Sequence, residues 1–89
     1  MRKDIQKKAI RRLKIIEGQV RGLQRMVIQE KYCIDSITQS LAIKEALSGV
    51  EHLIFENHLS THVIEQMKSG KESKAVTEIM AVYKVSKNR

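Results

Sequence analysis

The longest uninterrupted helical pattern in the chain runs from residue 35 to residue 68 and reads DSITQSLAIKEALSGVEHLIFENHLSTHVIEQMK. Its apolar residues occupy more than one face, which is typical of a helix at the centre of a bundle. Gly49 interrupts the pattern without ending it, since a single glycine weakens a helix but does not break it. The segment therefore predicts one long central helix, about Asp35 to Lys68.

Two further helices complete the predicted fold. The first spans about Asp4 to Glu30 and has an apolar stripe at alternating spacings of four and three: Ala9, Leu13, Ile16, Val20, Leu23 and Val27. Ser69-Gly70-Lys71-Glu72 predicts a stop glycine and a capping box. This stretch opens a third helix that directs four residues toward the core: Val76, Ile79, Met80 and Tyr83. With no proline and few aromatic residues, we predict an all-α, three-helix protomer forming a single domain over residues 1–89.

The size of the chain predicts oligomerisation. Eighty-nine residues in three helices bury little core, and a single cysteine allows no disulfide within the chain. The lone Cys33 and an N-terminus without an apolar leader suggest a reducing cytoplasm. No apolar run approaches the length of a membrane span.

The positive charge of the chain is concentrated in the first helix. Residues 1–31 hold ten Lys or Arg and three acids, a net charge of +7, whereas residues 32–89 hold seven of each sign. On a helical wheel, six of the cations fall within an arc of roughly 80° opposite the apolar stripe: Lys3, Lys7, Arg11, Lys14, Arg21 and Arg25. Such a face could simply keep the protein soluble, but the asymmetry along the chain favours a polyanion. The opposite face lacks the Trp or Phe expected for membrane insertion, so double-stranded DNA bound through its phosphates is the preferred partner.

Cys33, His58 and His62 are the candidate ligands for a soft metal. His58 and His62 stand four residues apart, so on a helix both imidazoles project from one face and can bind one ion. Cys33 precedes His58 by 25 residues, roughly 37 Å along a continuous helix. Only a second, antiparallel copy would bring the thiolate of one subunit to the imidazoles of the other. The spacing therefore predicts a homodimer with two sites across its interface.

The chain resembles the CsoR/RcnR family of metal-sensing repressors over essentially its whole length. The resemblance is carried by RLKIIEGQVRGL at residues 12–23, by Cys33 fifteen residues after Gly18, by Asn57-His58-Leu59, and by a ligand-type residue at position 62. It implies an antiparallel four-helix-bundle dimer, and a dimer of dimers that binds operator DNA when metal-free. It also implies that ligand binding lowers DNA affinity, and that Arg12 joins the DNA-binding cations.

By the same resemblance, three residues occupy the primary ligand positions and two lie in the surrounding shell. Cys33, His58 and residue 62 match the ligands, while Tyr32 and Glu78 match a tyrosine and a glutamate of the copper-sensing members. His62 departs from the cysteine usual in copper sensors. One thiolate and two imidazoles suit Cu(I), Zn(II), Ni(II) or Co(II), with Cu(I) favoured. Nickel and cobalt members add a histidine near the N-terminus, which this chain lacks.

Each candidate residue also has an ordinary structural interpretation. Cys33 could be a small hydrophobe, and His58 and His62 could be interface or surface histidines, which is what we predict for His52. Tyr32 could cap a helix, and Glu78 could lie in solvent.

Three other functional classes compete with a metal sensor. An enzyme is disfavoured because no acid partner cluster or phosphate loop accompanies the Cys and His pair. Persulfide sensing would require a cysteine at position 62, and formaldehyde sensing a proline at position 2, where the chain has His62 and Arg2. A constitutive DNA-binding protein would need only the basic face.

Overall fold

The computed structural model describes residues 1–87. Its elements are α1 (Lys3–Ile28), α2 (Cys33–His58), a π-helical turn (Leu59–Val63), α3 (Ile64–Lys68) and α4 (Glu72–Lys87). Because α2, the π turn and α3 follow one another without a break, residues 1–87 form three helical segments and contain no strand. The prediction of an all-α, three-helix protomer is confirmed.

The chain divides into two compact units, the first of which is Met1–Phe55. This unit is a hairpin of α1 and most of α2, held by a buried cluster whose members recur every two helical turns: Ala9, Ile16, Ile43 and Val50. Leu23, Ala46 and Leu53 pack against that cluster, and the Gln39 side-chain amide donates to the Gln19 carbonyl at 3.5 Å. The predicted apolar stripe of α1 therefore does supply one side of the hairpin core.

The hairpin turn places a glutamate in a backbone conformation that glycine usually takes. Glu30 has φ 52, and the next residue, Lys31, donates its N–H to the Met26 carbonyl at 2.9 Å. This hydrogen bond and the left-handed residue form a Schellman motif, so α1 ends at Ile28 rather than at Glu30 as predicted.

Helix α2 begins two residues before the predicted start. The Tyr32 carbonyl accepts the N–H groups of Asp35 and Ser36, at 2.9 and 3.3 Å, so Cys33 is already helical. Asp35 then lies in the first turn, where a carboxylate interacts favourably with the helix dipole.

The second unit runs from Glu56 onward and contains the end of α2, the π turn, α3 and α4. Gly70 has φ 76, and the Lys71 N–H donates to the Gln66 carbonyl at 2.6 Å, which confirms the predicted stop glycine. The predicted capping box is wrong, because the Ser69 hydroxyl donates backward to the Glu65 carbonyl at 2.8 Å. Ser69 thus completes the end of α3 and does not cap α4.

Many residues predicted to face a core remain exposed in the protomer. Within the first unit, Val27 is 63% exposed and Leu41 57%; on α4, Val76 is 57% exposed and Tyr83 55%. Ala75 is instead the most buried apolar residue of α4. So much exposed apolar surface is unusual for a monomer of this size. No helix among the described residues is long and apolar enough to cross a membrane.

Candidate metal centre and nucleic-acid face

The two histidines of the candidate centre face each other through matching ring nitrogens. His58 is the last residue of α2, and His62 lies in the π turn that follows. Their Nδ1 atoms are 3.3 Å apart, and the ring centroids are 5.2 Å apart. Metal–nitrogen bonds of about 2.0–2.1 Å at tetrahedral angles separate two nitrogen ligands by roughly 3.3–3.4 Å. The spacing of the histidines therefore fits two ligands of one ion.

A carboxylate on α4 contacts the opposite nitrogen of the first histidine. Glu78 Oε2 lies 3.4 Å from His58 Nε2. A carboxylate can only accept, so a hydrogen bond at this contact requires the proton on Nε2, and the neutral imidazole then carries its lone pair on Nδ1. In that tautomer the free nitrogen of His58 is the one that lies next to Nδ1 of His62, so both Nδ1 atoms are close enough to bind one ion.

Two further side chains hold this carboxylate. Gln66 on α3 donates from Nε2 to Glu78 Oε1 at 3.4 Å, and Lys74 Nζ lies 4.0 Å from the same oxygen. Gln66 was not predicted from the sequence. A polar side chain four residues after His62 is common on any helix surface and gives no specific signal.

Cys33 lies at the start of α2, in the first unit of the chain. It is exposed and follows Tyr32, whose side chain is also largely exposed at 72%. Among residues 1–87, no three His, Cys, Asp or Glu side chains come together in a group that could hold a metal. The predicted three-ligand centre across two subunits therefore stays a prediction, as do the roles of Tyr32 and Glu78. His52 is exposed on α2.

The predicted DNA-binding cations all lie on α1, and all are exposed: Lys7, Arg11, Arg12, Lys14, Arg21 and Arg25. Helix α1 is unbroken over this range, so the cations share one rigid element. Arg21 forms an ion pair with Glu17 at 3.0 Å, in which both side chains are largely exposed. The pair leaves the α1 face strongly positive, as expected of a surface that binds phosphates.

The structure thus combines a histidine pair beside a carboxylate, which are ligand types for transition metals, with a helix of exposed cations suited to phosphates. The chain belongs to the family described as metal-sensitive transcriptional repressors, which it matches over residues 5–85.

Its relatives carry related names. The copper-sensing repressor CsoR of Bacillus subtilis is 41% identical over 73 residues, which are 82% of this chain and 72% of the relative. The copper-sensing repressor RicR of Mycobacterium tuberculosis is 43% identical over 60 residues, which are 67% of this chain and 62% of the relative. The crystal structure of the copper-sensing repressor CsoR with Cu(I) from Geobacillus thermodenitrificans superposes with a TM-score of 0.87 at 38% identity. That superposition covers 94% of this chain and 88% of the other.

Proposed function

We propose that this repressor senses Cu(I): the metal-free protein binds operator DNA through the cationic face of α1, and binding of Cu(I) releases it. The observation that carries the metal half of the proposal is the 3.3 Å spacing of the His58 and His62 Nδ1 atoms, with Glu78 on the far nitrogen of His58. Cu(I) is favoured over Zn(II), Ni(II) and Co(II) because the relatives described above are named copper sensors. A thiolate with two imidazoles suits any of these borderline or soft ions.

The third ligand is Cys33 of another subunit. Cys33 is the first residue of α2 and His58 the last, so in one continuous helix they are roughly 37 Å apart. One ion therefore cannot join them within a chain. An antiparallel homodimer supplies the missing thiolate twice, and the exposed apolar residues of α2 and α4 supply its interface. Two such dimers form the tetramer that binds DNA.

Operator binding is largely electrostatic in this proposal. The cations of α1 lie on one rigid helix, and each phosphate that they neutralise releases condensed counterions from the duplex. Its relatives are bacterial repressors, which act on DNA in the cytoplasm, so we place this repressor there. It works by occupying the operator and not as an enzyme.

Coupling between the two functions runs through Glu78. The bound metal supplies a cross-link between ligands of two subunits. Within each subunit, Glu78 ties His58 of α2 to α4, and Gln66 ties the same carboxylate to α3. A fixed orientation of the His58 ring is therefore transmitted to both helices of the second unit. At the other end of the site, Tyr32 lies next to Cys33, and its backbone carbonyl caps the start of α2. We assign to Tyr32 a supporting role at the thiolate like that of Glu78 at His58.

A linked titration tests the proposal. A duplex selected from a random library by the reduced, metal-free protein is labelled, and its release is followed by anisotropy while Cu(I), Zn(II), Ni(II) or Co(II) is added under anaerobic conditions. We expect Cu(I) to release the duplex at the lowest free-metal concentration, and His52→Ala to behave as wild type. Equal metal affinity in the free and DNA-bound protein would refute the sensor function, because coupling must be reciprocal.

A further inference from the structure

One π-helical turn, Leu59–Val63, begins directly after His58 and contains His62. The residues on either side, His58 and Ile64, have ordinary right-handed helical angles, so the wider turn is inserted into an otherwise regular helix. π turns are rare and occur mostly as single turns within α-helices, frequently at functional sites. A feature this local requires a local cause.

Two hydroxyl groups converge on one carbonyl at the start of the turn. Ser60 Oγ donates to the Asn57 carbonyl at 3.1 Å, and Thr61 Oγ1 donates to the same oxygen at 2.7 Å. In a π turn the backbone hydrogen bonds span five residues instead of four, which draws amide groups away from their α-helical acceptors. Side-chain hydroxyls that bond to helix carbonyls compete with the backbone ladder and can distort a helix locally.

The chain contains its own comparison for this effect. Thr38 donates to the Ile34 carbonyl and Thr77 to the Ser73 carbonyl, each at 2.8 Å and each across the same four-residue spacing as Thr61. Both segments remain α-helical. A single hydroxyl bonded to the carbonyl four residues earlier is therefore not sufficient for a π turn. The pair on the Asn57 carbonyl is what distinguishes residues 57–63.

The position of the turn determines how the imidazoles meet. His58 precedes the turn and His62 lies within it, and their Nδ1 atoms are 3.3 Å apart, so a change in the pitch of the turn would move one imidazole relative to the other. We propose that Ser60 and Thr61 are positioning residues of the metal half-site: their hydroxyls hold the π turn, and the turn sets the register of His58 and His62. The inference rests on the proposed function, because it takes the two histidines as ligands.

A matched pair of double variants tests the inference in the full-length, reduced protein. Ser60→Ala with Thr61→Val removes both hydroxyls and nearly preserves side-chain shape. Thr38→Val with Thr77→Val removes two equally short hydroxyl bonds outside the turn. The single variant Thr61→Ser keeps a hydroxyl at position 61 and leaves Ser60 unchanged, so it should behave as wild type.

The first measurement uses the metal-free protein. Amide hydrogen exchange over residues 57–63 and ¹⁵N shifts of the imidazoles report the turn and the Nδ1–Nδ1 contact directly. We expect the Ser60/Thr61 double variant to change the exchange pattern of this segment and the ¹⁵N shifts of His58 and His62. The Thr38/Thr77 variant should leave both unchanged. An unaltered segment in the Ser60/Thr61 variant would overturn the inference without reference to any metal.

The second measurement is Cu(I) affinity by chelator competition, with His62→Ala as the reference for loss of a ligand. We expect the Ser60/Thr61 double variant to lose about tenfold or more in affinity, because a changed turn displaces a ligand nitrogen itself, whereas loss of Glu78 leaves both imidazoles in place. If it binds as tightly as the Thr38/Thr77 variant while His62→Ala binds weakly, the positioning role is refuted and the ligand assignment stands. If His62→Ala binds as wild type, the ligand assignment fails and the positioning role fails with it.

Discussion

A metal site built from two subunits can be reconstructed from two defective chains. One chain carries Cys33→Ala and keeps its histidines; the other carries His58→Ala and His62→Ala and keeps its cysteine. Neither forms a site alone, because each homodimer lacks the thiolate or both imidazoles at both interfaces. In the heterodimer, one interface combines the intact cysteine of one chain with the intact histidines of the other.

The expected recovery follows from counting. Equal amounts of the two chains that pair at random give about half heterodimers, each with one intact site of two, so the mixture should regain about a quarter of the wild-type sites. If α2 somehow bent so that Cys33 met the histidines of its own chain, the same mixture would regain none. We expect a quarter of the wild-type sites because α2 is roughly 37 Å long, too long for Cys33 and His58 of one chain to bind the same ion.

The assay is Cu(I) bound per chain after co-refolding, measured under reducing, anaerobic conditions with a chelating competitor. Native mass spectrometry determines the heterodimer fraction, so the recovered sites can be expressed per heterodimer. Mixing Cys33→Ala with His52→Ala is the control, since His52→Ala chains keep all three ligands and the mixture should bind about half of the wild-type metal. Confirmed heterodimers that bind no Cu(I) would refute the intersubunit site.

Three further outcomes are expected. Neutralising Arg11 or Arg25 should weaken DNA binding for all sequences and reduce the salt slope by about one unit per lost phosphate contact, measured by anisotropy at several salt concentrations; an unchanged slope would leave α1 without a DNA role. Glu78→Ala should keep most Cu(I) affinity but lose much of the coupling between metal binding and DNA binding. A tenfold effect of metal on DNA affinity equals about 1.4 kcal/mol of coupling, which Cu(I) titrations with and without DNA measure. Full coupling in the variant would contradict the connection through α4. Glu30→Gly should stabilise the fold by about 1 kcal/mol and Gly70→Ala should destabilise it by a similar amount, because both positions have positive φ. The melting temperatures should therefore shift by roughly 4–8 °C in opposite directions. Shifts of the same sign would argue against the hairpin-turn geometry.

The helical architecture could be predicted because its signals are local and periodic. The seven-residue recurrence that joins Ala9 to Ile16 is visible in the sequence, and it places both in the hairpin core. Gly70 was recognisable as a stop because only glycine adopts positive φ without strain. The end of α1 was predicted two residues too late, because Glu30 has a positive φ that a glutamate in the sequence does not indicate.

Predictions of burial failed where they assumed that every apolar position packs within its own chain. Val76 and Tyr83 have the right spacing for a core, yet more than half of each is exposed in the protomer. Periodicity shows which face of a helix is apolar, but not whether the covering surface belongs to the same chain. Under the proposed dimer, these faces have a second copy to pack against.

The candidate site was predictable only in part. The four-residue spacing of His58 and His62 predicted a pair, and their Nδ1 atoms are 3.3 Å apart, but the π turn that contains His62 was not predicted. Ser60 and Thr61 look like ordinary helix-surface residues, because the convergence of two hydroxyls on one carbonyl exists only in three dimensions. Glu78 came from family resemblance, since 20 residues and a turn separate it from His58 in the sequence.

The two halves of the proposed site belong to different units of the chain, and this division explains how metal binding could act on DNA. Cys33 belongs to the hairpin unit, which also carries the cations of α1, whereas His58 and His62 belong to the second unit with α4. Under the proposed dimer, a site shared between subunits would fix the cation-bearing hairpin of one copy against the second unit of the other. Such a connection can change the spacing of the α1 helices on a duplex while every helix keeps its length. We accordingly expect circular dichroism to be nearly unchanged by Cu(I) at concentrations that release DNA, and a large loss of helical signal would point to release by unfolding instead.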